Sequence, residues 1–233
     1  MPSVADRPDR SLVDAVRAAL HAVADPVAAE PMRAYMKSSM PFLGVPTPAR
    51  TAALRPVLAT HRLADPATWR GTVRSLFRDA TYREERYAAL AIARRYPAHL
   101  TAEPEPSLDL LDEIVVTGAW WDFVDETAIR LLGPLLLQHP AIVRPVMRRW
   151  AGDADRWRRR AAVICQIGAK DGTDTALLAE AIEANLADPD FFLRKGIGWA
   201  LRQHARLDPD WVRTFAATHD LSPLSRREAL KHL

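Results

Sequence analysis

The sequence predicts an all-α fold, an α-solenoid of HEAT-like helical repeats, and three observations predict it. Apolar residues recur at the 3.6-residue spacing of helices. Eighteen prolines punctuate the chain, several of them directly after a side chain that can cap a helix. Glycines number only nine in 233 residues, and no Asn-Gly or Asp-Gly turn separates a pair of alternating apolar runs.

In chain order, Val13, Val16, Leu20 and Val23 form the stripe of a first helix near 11–24. Asp25-Pro26 starts a second near 27–39, and Thr47-Pro48 a third near 48–60. A short polar side chain accepts from the first free N–H groups, and proline at the next position needs no donor. Asp65-Pro66 opens 66–79, where Trp69, Val73, Leu76 and Phe77 share a face. Thr81 with Glu84 reads as a capping box for 82–96. The proline-rich stretch from Tyr96 to Ser107 reads as a loop between repeats, followed by helices near 107–117, 120–132, 134–139, 141–151 and 156–168. Leu178, Ile182 and Leu186 line one side of 174–186. Asp188-Pro189, Asp208-Pro209 and Ser222-Pro223 start helices near 190–206, 209–218 and 223–232, the last with a second capping box from Ser225 to Glu228. Short connections without a strict repeat imply degenerate helix pairs stacked side by side, in one continuous domain over 1–233.

A chain of this length buries a substantial core without staples. The single cysteine, Cys165, excludes an internal disulfide, and with only scattered histidines it assembles no zinc site. Neither metal nor cofactor is expected. No apolar run approaches the roughly 20 residues of a membrane span, and Met1 to Arg10 has no apolar leader core. A soluble, cytoplasmic monomer is expected. The net charge is only +3, but the 32 basic residues include just four lysines, Lys37, Lys170, Lys195 and Lys231. The planar fork of arginine suits phosphate. A GC-rich coding sequence yields the same excess of arginine, so position must decide.

Three stretches carry candidate chemistry. From Gly118 to Glu126, two adjacent tryptophans meet two aspartates. In a helix beginning after Gly118, Trp121 and Asp125 stand one turn apart on one face, with Trp120 and Val124 on the adjacent face. A π face beside a carboxylate can cradle a cation, whereas a buried Trp and a solvated Asp would not. Between Arg144 and Arg160, seven arginines stand against two aspartates, a local excess of five. Arg156, Arg158, Arg159 and Arg160 are therefore candidates for phosphate contact, against the plainer alternative of a solvated face. From Phe191 to Arg202, Gly196 and Gly198 interrupt a helical stretch, each costing about 0.5–1 kcal/mol relative to alanine. They allow close approach by a helix or a ligand, next to Lys195 and Trp199.

Trp120-Trp-Asp-Phe-Val-Asp125, Trp157-Arg-Arg-Arg-Ala-Ala162 and the Phe191–Arg202 stretch together resemble the DNA alkylation repair proteins of the AlkD type. Leu221 to Lys231, Glu30 to Lys37 and Phe42 to Pro48 are similar to further segments of that family. The resemblance implies a curved stack of repeats with a basic concave face on duplex DNA, and a glycosylase that removes purines alkylated at N3 or N7. It implies that Trp121, Asp125, Arg160 and Trp199 line the lesion site, with Tyr35 a further aromatic contact. Arg156, Arg158, Arg159 and Lys195 would grip phosphates. Gly168 stands where that family has a basic residue, and Lys170 would substitute for it.

The chemistry fits these residue types. A purine alkylated at N3 or N7 carries a positive charge and leaves as a neutral base, so no strong general acid is needed. The enzyme must stabilise the cation developing on the sugar, which one carboxylate and two π faces can do. Asp125 would act as that anion or position a water for attack. The rival reading from another class is a non-catalytic helical-repeat scaffold binding DNA or a protein.

Overall fold

The computed structural model of the chain describes residues 6–233, which are helices and turns with no strand among them. The chain divides into two compact units, one ending at Glu103 and one beginning at Pro104.

The first unit holds α1 (Arg10–His21), α2 (Pro26–Tyr35), α3 (Thr47–Thr60), α4 (Pro66–Arg78), α5 (Arg83–Arg95) and α6 (Pro97–Ala102). α1 packs on α3, α4 and α5, and α4 on α5. Leu12, Val13, Val16 and Leu20 are buried as the stripe requires, but α1 stops at His21 and leaves Val23 beyond it, 41% exposed. The capping-box reading at Thr81 shifts by one residue. Glu85, not Glu84, accepts from the N–H groups of Thr81 and Tyr82. Glu84 is fully buried and takes the backbone N–H groups of Leu43, Gly44 and Val45, each at 3.0 Å. One carboxylate thus fixes the turn between α2 and α3. Gly44 within it has φ +80°, and a Cβ there would lie 1.9 Å from the Asp25 carbonyl oxygen. Glu84→Ala leaves three buried donors without an acceptor, each worth about 1–3 kcal/mol. A loss of roughly 3–5 kcal/mol is expected in denaturant unfolding, and a loss below about 1 kcal/mol would remove Glu84 from this role.

The second unit holds α7 (Pro104–Gly118), α8 (Trp121–Thr127), α9 (Gly133–Gln138), α10 (Pro140–Ala151), α11 (Arg156–Ile164), α12 (Thr175–Glu183), α13 (Phe191–His204), α14 (Pro209–Thr218) and α15 (Pro223–Ala229). Here α10 packs on α11 and α12, α11 on α13, and α13 on α14 and α15. Contact with the helix one or two places along is the pattern of helical repeats.

Several boundaries differ from the sequence reading. The stretch expected to be a loop, 96–107, is almost wholly helical, because Pro97 and Pro104 each sit at the start of a helix where proline is tolerated. α3 begins at Thr47, one residue before its proline, with Pro46 in the cap position. Asp190, not Asp188, caps α13, accepting from the N–H groups of Phe192 and Leu193. Ser222 caps α15, which frees Ser225 and Glu228 from the expected capping box. α8 and α9 form one rod with a π-helical turn at Ala128–Leu132, where the Gly133 N–H reaches back to the Ala128 carbonyl. Pro134 follows and has no N–H to continue the ordinary ladder. Among the described residues, no helix is long and apolar enough to cross a membrane.

Candidate functional site

α7 ends at Gly118, Ala119 takes a left-handed φ of +43°, and Trp120 is extended, so the chain reverses and α8 starts at Trp121. Phe123 and Val124 are fully buried and fix the helix, which leaves Trp121 partly exposed and Asp125 largely buried, one turn apart. The Asp125 carboxylate is held by Arg160 of α11: Nε donates to Oδ1 at 2.6 Å and Nη2 to Oδ2 at 2.7 Å. Nη1 of Arg160 donates to the backbone oxygen of Phe192, in the first turn of α13. One guanidinium therefore joins α8, α11 and α13.

Gly196 makes room for it. A Cβ there would lie 3.0 Å from Nη1 of Arg160 and 3.4 Å from the Ile164 side chain. Burial pushes the pKa of the Asp125 carboxyl above the ordinary aspartate value, and the Arg160 hydrogen bonds and charge pull it back. The Asp125 side chain keeps 14% of its surface open against 5% for Arg160. The anion, not its counter-charge, is the group a ligand can reach.

Beside the pair stands an aromatic cluster. Trp120, Trp157 and Phe192 meet with ring centroids 5.1 to 6.1 Å apart, and the Arg156 guanidinium lies over Trp157 at 5.0 Å. The cluster joins the first turns of α11 and α13 to the residue capping α8. Trp120 is thereby a packing residue. Trp157 and Phe192 belong to the same support, and nothing in their local spacing marks them apart from ordinary core.

The arginine cluster is not the surplus its own stretch suggests. Arg158 pairs with both oxygens of Asp112 at 2.7 Å, Arg159 with Asp188 at 2.9 Å, and Arg156 with Asp190 at 3.1 Å. Arg144 pairs with Asp174 and Arg148 with Glu180. The acids lie outside that stretch, in other helices, at their caps or in a loop, so a count confined to 144–160 misses them. A guanidinium carries five N–H donors, and the partly exposed Arg156, Arg158 and Arg159 keep some beyond these pairs.

On α13, Trp199 is half-buried between Lys195 and Arg202, both of which donate to the Glu228 carboxylate of α15. The hydrogen bond from Lys195, joined by that from Arg202, holds the Glu228 pKa down to about 2. Gly198 lets α15 approach: a Cβ there would lie 2.5 Å from that of Glu228. Both glycines of this helix thus serve helix contacts. Lys170 is exposed in a turn, with φ +51°. Gly168 before it has φ +95° and open space at its Cβ, so backbone conformation explains the glycine where a basic residue was expected. Tyr35 belongs to the first unit, at the end of α2, and is 80% exposed. The structure brings Asp125, Arg160 and the α13 backbone together directly and sets Trp121 and Trp199 on the helices so joined. Among the described residues, no group of three or more His, Cys, Asp or Glu stands close enough to hold a metal ion.

No curated protein matches the chain. Among solved structures, a predicted DNA alkylation repair enzyme from Enterococcus faecalis is similar to it, with 29% identity and a TM-score of 0.77 over 90% of this chain and 96% of that one. The model of the DNA alkylation repair enzyme family matches residues 16–233. That span takes in α8, α11 and α13 with the carboxylate they hold, and the chain belongs to the DNA alkylation repair enzyme family.

Proposed function

We propose that the protein is a glycosylase of the AlkD type, excising cationic N3- or N7-alkylated purines from duplex DNA by hydrolysis of the N-glycosidic bond. One observation carries the reading: a largely buried carboxylate, Asp125, clamped in a bidentate pair yet open on one side, one turn from Trp121. A fixed anion in poorly solvated surroundings favours the sugar cation more than water does, because it need not reorient as charge develops. Arg160 acts through Asp125, holding both carboxylate oxygens so that their direction is set before the substrate arrives. Trp121 and Trp199 supply π faces to the charged base and sugar. Arg156, Arg158, Arg159, Lys170, Lys195 and Tyr35 are the proposed contacts to the DNA backbone, within one functional domain over 1–233.

Base release from duplex DNA containing N7-methylguanine tests the activity. A scaffold without catalysis would bind the duplex and release nothing. Duplex affinity should fall with salt, log K dropping by about 0.9 per log unit of salt for each phosphate contacted. With several of the arginines already paired to carboxylates, the expected slope corresponds to fewer phosphates than the seven basic residues of 144–160, and fluorescence anisotropy across a salt series measures it.

A further inference from the structure

Glu228 of α15 takes up two cations of α13: Oε1 accepts from Lys195 Nζ at 2.8 Å and Oε2 from Arg202 Nη1. With its pKa held down to about 2 by the hydrogen bonds from Lys195 and Arg202, the carboxyl stays an anion through the neutral range. At about 100° per residue, Lys195 and Arg202 stand in one row along α13, with Gly198 about 50° to one side and Trp199 about 50° to the other. Glu228 meets α13 on the Gly198 side, so both cations lean away from Trp199. They are nevertheless its neighbours at i−4 and i+3, the spacing at which side chains of a helix meet. Elsewhere in the chain a cation so placed does reach a ring: the Arg83 guanidinium lies over Tyr87, four residues on, at 5.8 Å. Trp199 is partly exposed, and among the described residues no aromatic ring, cation or hydrogen-bond partner is found on its indole.

We propose that Glu228 is a positioning residue, which draws Lys195 and Arg202 off Trp199 and so keeps a π face of that indole free for a cationic base or sugar. For its ligand the inference rests on the glycosylase reading; for the ring it rests on the contact between α13 and α15 alone. Two effects act together. A cation already over the indole would occupy the surface that a cationic purine needs. Lys195 and Arg202 also bring two positive charges to the flank of Trp199, and Glu228 cancels one of them, which weakens repulsion of a positively charged lesion. A clasp that only joins α13 to α15 predicts lost stability with Trp199 unchanged, so the two roles separate at the ring.

The test labels the full chain with fluorotryptophan, assigns the Trp199 signal by Trp199→Phe, and follows it by fluorine NMR beside single-turnover N7-methylguanine release at saturating duplex. In Glu228→Gln one acceptor oxygen replaces two, so at least one cation is let go. The Trp199 signal is then expected to shift and release to fall about two- to thirtyfold, the span of cation–π strengths from exposed to desolvated sites. Removing the cations as well, in Glu228→Gln/Lys195→Ala/Arg202→Ala, should return the signal towards its wild-type place. The proposal is overturned if Glu228→Gln stays folded with the Trp199 signal unmoved, if the triple variant keeps the shifted signal, or if the ring moves while release from an active protein is unchanged. Should Glu228→Gln fail to fold, Lys195→Ala decides: that cation already stands off the ring, so an unmoved Trp199 signal supports the proposal and a shifted one overturns it. A wild-type protein that releases no base refutes the glycosylase reading instead, and the ring measurements then decide the role of Glu228.

Discussion

Asp125→Asn is expected to lower N7-methylguanine release from duplex DNA by about 10²–10³-fold, the scale of losing one preorganised electrostatic group, while duplex affinity changes little. The amide keeps the size of the carboxylate and still accepts one hydrogen bond from Arg160, but it offers no charge to the sugar cation. Single-turnover release separates this from binding, and equal rates in the two proteins would take Asp125 out of the mechanism. The pH dependence follows from the same group. Burial raises its folded-state pKa above the unfolded value, so the folded chain binds that proton more tightly. As pH rises from the unfolded value through the raised folded one, stability falls and the active anion appears. Activity should therefore decline on the acid side with a midpoint above the ordinary aspartate value, and Asp125→Asn should lose that limb.

Arg160→Met should cost about 3–5 kcal/mol of stability, because it leaves a largely buried carboxylate without its counter-charge. The Phe192 carbonyl loses its donor in the same change. Thermal or denaturant unfolding gives the loss, and the double variant Asp125→Asn/Arg160→Met should recover part of it, since the amide needs no cation. A double variant no more stable than Arg160→Met alone would show that Arg160 matters through α13 and not through Asp125. Base release in Arg160→Met is expected to fall even under conditions where the protein stays folded, because Asp125 is then free to turn.

Helical stripes and Asp-Pro starts made most of the fold legible, since both are local: Trp69 with Phe77, or Asp65 capping α4, need only neighbours in the chain. Trp121 and Asp125 were legible for the same reason, being one turn apart. What the sequence could not carry is pairing at a distance. The partners of Arg158, Arg159 and Arg160 stand 46, 29 and 35 residues away in the chain, and spacing gives no rule for such contacts. Glu84 and Glu85 are adjacent and chemically alike, and only the fold decides which caps α5 and which holds the α2–α3 turn. Gly196 and Gly198 were visible as anomalies, but the occupants of the space they leave, the Arg160 guanidinium and α15, come from elsewhere in the chain.

Arg158 and Arg160 reach back to α7 and α8, but several other charge pairs of the second unit share a direction. Arg148 reaches from α10 to α12, Arg156 and Arg159 from α11 to the start of α13, and Lys195 and Arg202 from α13 to α15, so each rung ties a helix to the one two places on. Most rungs stand in water: Arg148 is 49% exposed, Arg156 48% and Lys195 44%, and salt screens such pairs. The Arg160 guanidinium, paired with Asp125 of α8 and donating to the Phe192 carbonyl of α13, is shielded. Rising ionic strength should therefore loosen the α10–α12 tie before the α11–α13 tie, and hydrogen exchange across a salt series would read that order. Where the stack gives way first is set by which rungs are wet, and the driest tie is the one through Arg160, which also holds the Asp125 carboxylate.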